Sequence, residues 1–215
     1  KRVREADIEE TVVAEEPFTE LATDRWQIED GDWEIVQGRL RQTDGASQQR
    51  RVVSRFSHPS DFRAQVTMRV TGGEVYRSIG LGFDGHGKAM HTVYLSAYPG
   101  GSKIQVSLQN GGGVWSYPQL GMSALPVELG RDYRLELRVR GRLLNVLVDQ
   151  QVVVAYLLPP NRVPGQISLW TFSASGSFDD LRLTELAPQA TLQQPSANGG
   201  IAAVATEAGL QREVG

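Results

Sequence analysis

The segment from Arg131 to Leu186 constrains the fold more than any other part of the chain. Its first ten residues alternate between large apolar side chains (Tyr133, Leu135, Leu137, Val139) and charged ones (Arg134, Glu136, Arg138, Arg140). Side chains of a β-strand point in turn to its two faces, so this period of two predicts a half-buried antiparallel strand. Apolar segments separated by Gly141, Asp149 and Pro164 continue the pattern, which predicts a series of short antiparallel strands.

The rest of the chain up to Ala187 shows the same organisation and almost no helical periodicity. We expect strands over residues 26–29, 33–36, 39–42, 51–56, 61–70, 74–83, 91–98 and 103–109, with an edge piece over 114–117. Gly-rich connections such as Thr71-Gly72-Gly73 and Asn110-Gly111-Gly112-Gly113 separate them, because glycine permits the backbone angles of tight turns. Many short strands at this spacing predict an all-β fold, a two-sheet antiparallel jelly-roll sandwich.

The length of 215 residues suits one sandwich with tails. Residues 1–17 are acidic and contain few large apolar side chains, so we interpret them as a flexible linker. The globular pattern covers residues 18–186. Residues 187–215 are rich in Ala, Gln, Pro and Gly, which predicts a second flexible segment with a short helix over 201–214.

Composition excludes several classes of function. The formal net charge is −3, which gives no electrostatic reason to expect nucleic acid or an anionic membrane as a partner. The sequence contains no cysteine, so disulfides, zinc–thiolate sites and thiol nucleophiles are excluded. No apolar run approaches the roughly 20 residues that a membrane-spanning helix needs.

Several segments resemble a known superfamily. The segments Trp33–Leu40, Asp61–Ala64, Gly141–Asp149 and Gly165–Leu181 resemble the concanavalin A-like lectin/glucanase jelly roll. Within it, the chain is similar to laminin-G-like domains and to the domain named after 3-keto-disaccharide hydrolases. The segment Tyr76–Phe83 is similar to modules of large planctomycete proteins that also carry cytochrome-c-like domains.

The resemblance implies a piece of a larger bacterial multidomain protein, located outside the cytoplasm, with neighbouring domains of the parent chain as partners. Laminarinase-type enzymes of the superfamily carry an E-x-D-x-x-E strand, and this motif is absent here. In the most similar strand, residues 61–70, Arg and Thr stand where those carboxylates would be. We therefore predict no catalytic residue.

Three central strands carry small, hydroxyl, amide and tyrosine side chains on one face. Such a surface suits sugars, because aromatic rings stack on pyranose faces while neutral donors and acceptors meet the hydroxyls. Ser78, Ser96 and Gly80 are expected to leave room above the sheet. The candidate ligand-binding residues are Tyr76, Tyr94, Ser96, Tyr98, Gln105, Gln109 and Trp115. The alternative is an ordinary solvent-exposed face, where Thr and Tyr are favoured anyway.

Two groups of titratable residues have a functional and a structural interpretation. Asp84, His86 and His91 would suit a metal or an acid–base pair, but a polar turn explains the Asp-Gly-His-Gly sequence better. Asp179 is a candidate ligand of a structural calcium ion with carbonyls near Gly31, and a salt bridge to an arginine is favoured over it. We predict no required cofactor. Of the tryptophans, Trp33 and Trp170 are expected in the core.

Three functions are compatible with these observations. The favoured one is a non-catalytic binding module for carbohydrate. The second is a glycosidase-like enzyme of the 3-keto-disaccharide hydrolase type, which needs paired carboxylates in a cleft. The third is a structural spacer or a protein-interaction domain.

Overall fold

The structure is a computed structural model that describes residues 10–196. Within this range the regular structure consists of sixteen β-strands and a short 3₁₀ turn at Gln119–Gly121, and no helix is long and apolar enough to cross a membrane. The strands are β1 (Val12–Glu16), β2 (Trp26–Asp30), β3 (Trp33–Val36), β4 (Arg39–Gln42), β5 (Gln49–Ser57), β6 (Phe62–Gly72), β7 (Ser78–His86), β8 (Ala89–Ser96), β9 (Lys103–Gln109), β10 (Trp115–Ser116), β11 (Met122–Ala124), β12 (Asp132–Arg140), β13 (Leu143–Val148), β14 (Gln151–Leu157), β15 (Gln166–Phe172) and β16 (Ser175–Glu185).

The strands form two eight-stranded antiparallel sheets packed as a sandwich, which confirms the predicted fold class. The front sheet has the order β10-β9-β8-β7-β15-β5-β2, with β11 also paired to β9. The back sheet has the order β14-β13-β12-β6-β16-β4-β3, with β1 paired to β16. Strands distant in sequence are neighbours in both sheets, as β6 and β16 are, so long connections define the topology.

The core lies between the sheets and follows the alternation of the sequence. Tyr133, Leu135 and Leu137 of β12 are buried, while Arg134, between Tyr133 and Leu135, is exposed. The front sheet contributes Ile79, Leu81, Val93, Leu95, Ile104 and Val106 to the same apolar cluster, and none of these side chains is exposed. Burial of one side chain of this size stabilises the fold by about 1.5–3 kcal/mol, because it removes apolar surface from water.

The predicted boundary at residue 18 is wrong, because the sandwich begins earlier. Val12–Glu16 forms β1 and pairs with β16, although it lies in the expected linker. Acidic residues in this segment suggested solvation, but arginines of the folded chain neutralise them: Glu16 pairs with Arg25 at 2.9 Å, and Glu15 pairs with Arg182. Composition alone does not reveal such partners.

The segment after β16 is also docked as far as it is described. The buried side chain of Asn145 donates to the carbonyl of Gln193 at 2.8 Å and accepts from its N–H at 2.6 Å. Arg140 donates to the carbonyls of Ala187 and Ala190 at 2.7 and 2.8 Å. The expected linker is therefore wrong for residues 187–193, and the expected helix over 201–214 lies outside the described residues.

Candidate functional site

A groove with a volume of about 640 Å³ lies on the outer face of the front sheet. Its floor and walls come from β5, β7, β8, β9, β10 and β15 and from the loops beside them. The lining residues are aromatic or neutral and polar with a single exception, Lys103: Gln49, Tyr76, Ser78, Tyr94, Ser96, Tyr98, Lys103, Gln105, Ser107, Trp115, Tyr117, Gln119, Trp170 and Phe172.

The alternation of β8 and β9 sets which side chains face the groove. Val93 and Leu95 are fully buried in the core, and Tyr94 and Ser96 therefore point to the opposite, outer side. The apolar side chains of these two strands therefore belong to the core. Cross-strand pairs continue the outer face, since Tyr94 lies opposite Gln105 and Ser96 opposite Lys103.

The floor of the groove is formed by Trp170 and Tyr94, which meet edge to face at 5.5 Å between ring centroids. Gly80 lies beneath them, and a Cβ there would come within 3.1 Å of the indole ring of Trp170 and 2.8 Å of Tyr94 Cβ. The expectation that Gly80 leaves space for a ligand is thus wrong, because the Trp170 ring uses that space.

Trp170 is buried, but it is not part of the core between the sheets. Its neighbour Leu169 belongs to the core cluster, and Trp170 faces the groove with 5% of its surface exposed. The prediction of a core position is therefore wrong. An apolar strand buried on both sides gives no period of two, so the sequence does not reveal the face. The indole Nε1 is buried and has no hydrogen-bond partner among the described residues.

One wall of the groove consists of three aromatic rings. Tyr76 lies 5.6 Å from Tyr98 and 5.7 Å from Phe172, and both tyrosines are substantially exposed, at 49% and 38%. Tyr98 lies across the turn between β8 and β9, where a Cβ at Gly100 would be only 2.5 Å from its Cε1 atom. The absence of a side chain at Gly100 allows this ring position.

The facing wall comes from the segment around β10. The rings of Trp115 and Tyr117 stack with an interplanar angle of 18°, and Trp115 lies 6.3 Å from Trp170 at the floor. Tyr117 is 54% exposed. The two residues are two positions apart, as expected for side chains on the same face of an extended chain. This spacing was the signal by which Tyr117 could have been found from the sequence.

Hydrogen bonds hold the polar side chains of the floor in place. The hydroxyl of Tyr94 donates to Gln105 Oε1 at 3.1 Å, and the hydroxyl of Ser96 donates to the carbonyl of Tyr76 at 2.7 Å. Burial raises the pKa of Tyr94, so this hydroxyl stays protonated and able to donate at neutral pH.

The structure brings together six of the seven residues predicted to bind a ligand: Tyr76, Tyr94, Ser96, Tyr98, Gln105 and Trp115. Gln109 does not line the groove, and its amide donates to the carbonyl of Gly113 at 3.1 Å. The lining residues that sequence reasoning missed are Gln49, Lys103, Tyr117, Gln119, Trp170 and Phe172.

The predicted group of Asp84, His86 and His91 is only partly assembled, and it lies outside the groove. Asp84 is buried and accepts from His91 Nδ1 at 2.8 Å, whereas His86 is exposed and its Nε2 lies 3.4 Å from the carbonyl of Val163. The other partners of Asp84 are Arg162, whose Nε and Nη2 both donate at 2.9 Å, and His58. The predicted polar turn lies at Gly87-Lys88, and Asp84 is not part of it, because Asp84 is a buried residue of β7 held by these partners.

The charge of Asp84 is stabilised by these neighbours. Burial by itself raises the pKa of this carboxyl group, but the hydrogen bonds from His91 and Arg162 and the charge of Arg162 lower it more, so it lies well below its ordinary value. Nε2 of His58 accepts the backbone N–H of Asp84 at 2.9 Å, and its Nδ1 lies 2.7 Å from the carbonyl of Pro59. We assign the proton to Nδ1, which leaves Arg162 as the cation that neutralises Asp84 and His91 as a further hydrogen-bond donor.

Asp179 lies on the outer side of the back sheet, near a bulge in β16. Its carboxylate accepts from Arg39 at 3.3 Å and from the backbone N–H of Asp180 at 2.8 Å. The structure thus shows the salt bridge that the sequence favoured over a calcium site. Burial raises the pKa of Asp179. Within residues 10–196, no group of three or more His, Asp or Glu side chains is arranged to hold a metal ion.

Comparison with known proteins shows similarity at the level of structure. No protein-family model matches the chain, and no curated protein sequence matches it. The carbohydrate-binding module CBM66 from Bacillus subtilis superposes with a TM-score of 0.66 at 16% identity, over 74% of this chain and 95% of that one. The β-glucanase of Bacillus licheniformis superposes with a TM-score of 0.60 at 12% identity, over 81% of this chain and 98% of that one.

A domain solved with a bound saccharide is similar as well. The exoplasmic domain of VIP36, in a form bound to Ca²⁺ and Man3GlcNAc, superposes with a TM-score of 0.59 at 16% identity, over 79% of this chain and 87% of that one. Identities this low establish the fold alone, and the narrower resemblance to laminin-G-like and 3-keto-disaccharide hydrolase domains stays a prediction. The two-sheet architecture and these similarities together show that the chain has the concanavalin A-like jelly-roll fold.

Proposed function

We propose that this domain is a non-catalytic carbohydrate-binding module and that the groove on its front sheet is the binding site. The observation that carries the proposal is the pairing of exposed aromatic walls with a fixed polar floor. Rings of Tyr76, Tyr98 and Trp115 offer faces for stacking on the C–H groups of a sugar, and Tyr94, Ser96 and Gln105 offer neutral hydrogen-bonding groups.

The similar solved structures support this class of ligand at a coarse level. They include a protein named as a carbohydrate-binding module and the VIP36 domain in its Man3GlcNAc-bound form. A fold alone does not assign a function, so the proposal depends on the groove itself. It places the domain outside the cytoplasm, in a larger protein whose other domains determine the activity.

The glycosidase alternative is less well supported by the groove. Glycosidases of the usual mechanisms need two carboxyl groups, about 5–5.5 Å apart in retaining enzymes and about 6.5–9.5 Å apart in inverting ones. Among the described residues that line the groove, none is Asp, Glu or His. A structural spacer would require neither exposed aromatic walls nor a groove of this size.

A glycan array probed with the purified chain tests the proposal, followed by calorimetric titration of the glycans that bind. Tyr98→Ala and Trp115→Ala remove one ring from each wall, and we expect each to weaken binding about fivefold, since one aromatic contact contributes about 1 kcal/mol. Val163→Ala is a matched control, because Val163 is 59% exposed and does not line the groove. Binding that is unchanged in both groove variants would place the site elsewhere, and no binding to any glycan would refute the proposal.

A further inference from the structure

Lys103 is the one charged side chain among the described residues that line the groove. It lies at the start of β9, is half-buried and lines the groove. Within residues 10–196, its ammonium group makes no ion pair and no hydrogen bond. The side chains of Arg50 and Arg162 are also largely removed from solvent, but each of them is paired with a carboxylate.

The surroundings of Lys103 leave its charge uncompensated. Its cross-strand neighbours are Ser96 on β8 and Ala124 on β11, which carry no charge. The described lining of the groove contains no carboxylate, although the chain as a whole has a net charge of −3. A partly desolvated cation without a protein partner makes the groove locally positive, and it strengthens hydrogen bonds to an anionic group.

The sheet order places this cation at one end of a row of small and aromatic side chains. Register pairs join Gln49 to Phe172, Phe172 to Ser78, Ser78 to Ser96 and Ser96 to Lys103. Five neighbouring strands at ~4.8 Å spacing give this row a length of about 19 Å. A ligand lying across the strands would therefore place one end beside the ammonium group while its middle passes the aromatic wall.

We propose that the groove selects an acidic saccharide, one whose carboxylate or sulfate group contacts Lys103. This inference rests on the proposed carbohydrate-binding function and adds the chemical class of the ligand. The ammonium group supplies three donors and a point charge, which suits a single oxyanion. Neutral sugars of the same backbone would keep the stacking contacts and lose the charged one.

Matched pairs of oligosaccharides test the inference by calorimetric titration. The probes are oligouronates of several backbones, their carboxyl-reduced neutral counterparts, and sulfated forms of the same neutral chains. We expect the acidic member of the bound pair to bind about tenfold more tightly than the neutral one, which corresponds to one charge-assisted hydrogen bond. This preference should shrink between low salt and 1 M salt, because screening weakens an exposed ion contact.

Lys103→Gln should remove the preference, so that the acidic and the neutral member of the pair bind with similar affinity. Lys88→Gln is the matched control, since Lys88 is exposed on the β7–β8 turn and is not part of the groove lining. It makes the same change in net charge and should retain the full preference.

The outcomes separate this inference from the proposal beneath it. Neutral and acidic members bound equally well would overturn the inference and leave the carbohydrate-binding function standing. A preference that persists in Lys103→Gln, or is lost equally in Lys88→Gln, would assign it to the overall charge of the protein and also overturn it. If the protein bound none of the probes and no glycan on the array, both proposals would be overturned.

Discussion

Replacement of Arg162 by alanine should strongly destabilise the domain. The guanidinium group of Arg162 donates two hydrogen bonds to Asp84, both at 2.9 Å. Its Nη1 also donates to the carbonyls of Ser60 and Gly141, at 2.9 and 2.8 Å. The side chains of Arg162 and Asp84 are 6% and 4% exposed. Arg162 thus connects four segments that are distant in the sequence.

The size of the effect follows from what the substitution leaves behind. In Arg162→Ala the carboxylate of Asp84 stays buried with His91 as its main donor, and two carbonyls lose a partner. Removing one member of a buried ion pair typically costs about 3–5 kcal/mol. For a domain of this length each kcal/mol lowers Tm by about 2–4 °C, so we expect Tm to fall by roughly 6–20 °C.

Guanidinium chloride unfolding followed by tryptophan fluorescence at pH 7 measures this loss. Arg134→Ala is the control, because Arg134 is exposed on β12 and its removal should change the free energy of unfolding by no more than about 0.5 kcal/mol. Asp84→Asn tests the same pair from the other side if Arg162→Ala does not fold. A loss below about 1 kcal/mol in both variants would refute the reasoning about the buried pair.

The same pair gives a pH dependence with a defined direction. The pKa of Asp84 lies below the ordinary value of about 3.9 that it takes in the unfolded chain. Its stabilising contribution is therefore fully present above about pH 5 and is lost as pH falls towards the lower folded pKa. The free energy of unfolding of the parent chain should decrease over this range, and Asp84→Asn should lack that part of the decrease.

Three further predictions concern glycines and metal. Gly100→Ala should move the ring of Tyr98, whose Cε1 lies 2.5 Å from the added Cβ, and weaken glycan binding about fivefold in a titration, while Gly111→Ala, with open space around it, should not. Gly80→Ala should lower the free energy of unfolding by about 2 kcal/mol or more, measured by denaturant, because its Cβ would lie 2.6 Å from a backbone carbonyl that cannot move freely. Since the carboxylate of Asp179 is paired with an arginine, calcium and chelator should give the same Tm, and a rise in Tm with calcium would contradict this assignment.

The strands that could be predicted from the sequence are those in which polar and apolar side chains alternate. The alternation over residues 61–70 and 133–140 corresponds to β6 and β12, and residues 103–109 match β9 at both ends. Where one face of a strand is exposed to solvent, the alternation of polar and apolar residues shows directly which side chains are buried. It fails at Trp170, where groove and core bury both sides of the strand.

What the sequence could not show depends on contacts between distant segments. Asp84 meets His58 and Arg162, which lie 26 and 78 residues away along the chain. Gln49 and Lys103 line one groove only because β5, β15, β7, β8 and β9 are neighbours in the front sheet. Nothing in their local sequence distinguishes them from other polar residues at strand starts. The tyrosines and serines were predicted because they share a face within single strands.

The groove and the buried Asp84–Arg162 ion pair lie at different ends of the front sheet, which separates ligand recognition from stability. Along β7, the groove residue Ser78 and Asp84 are six positions apart, which corresponds to about 20 Å at the usual rise of a strand. Substitutions at that distance without shared partners usually have additive effects. The ion pair at one end of the sheet can therefore hold the loops together while the rings at the other end remain exposed. Accessibility to a ligand also accounts for the aromatic walls of the groove. An exposed Tyr or Trp ring offers a flat face for stacking on a sugar, and an exposed aliphatic side chain does not.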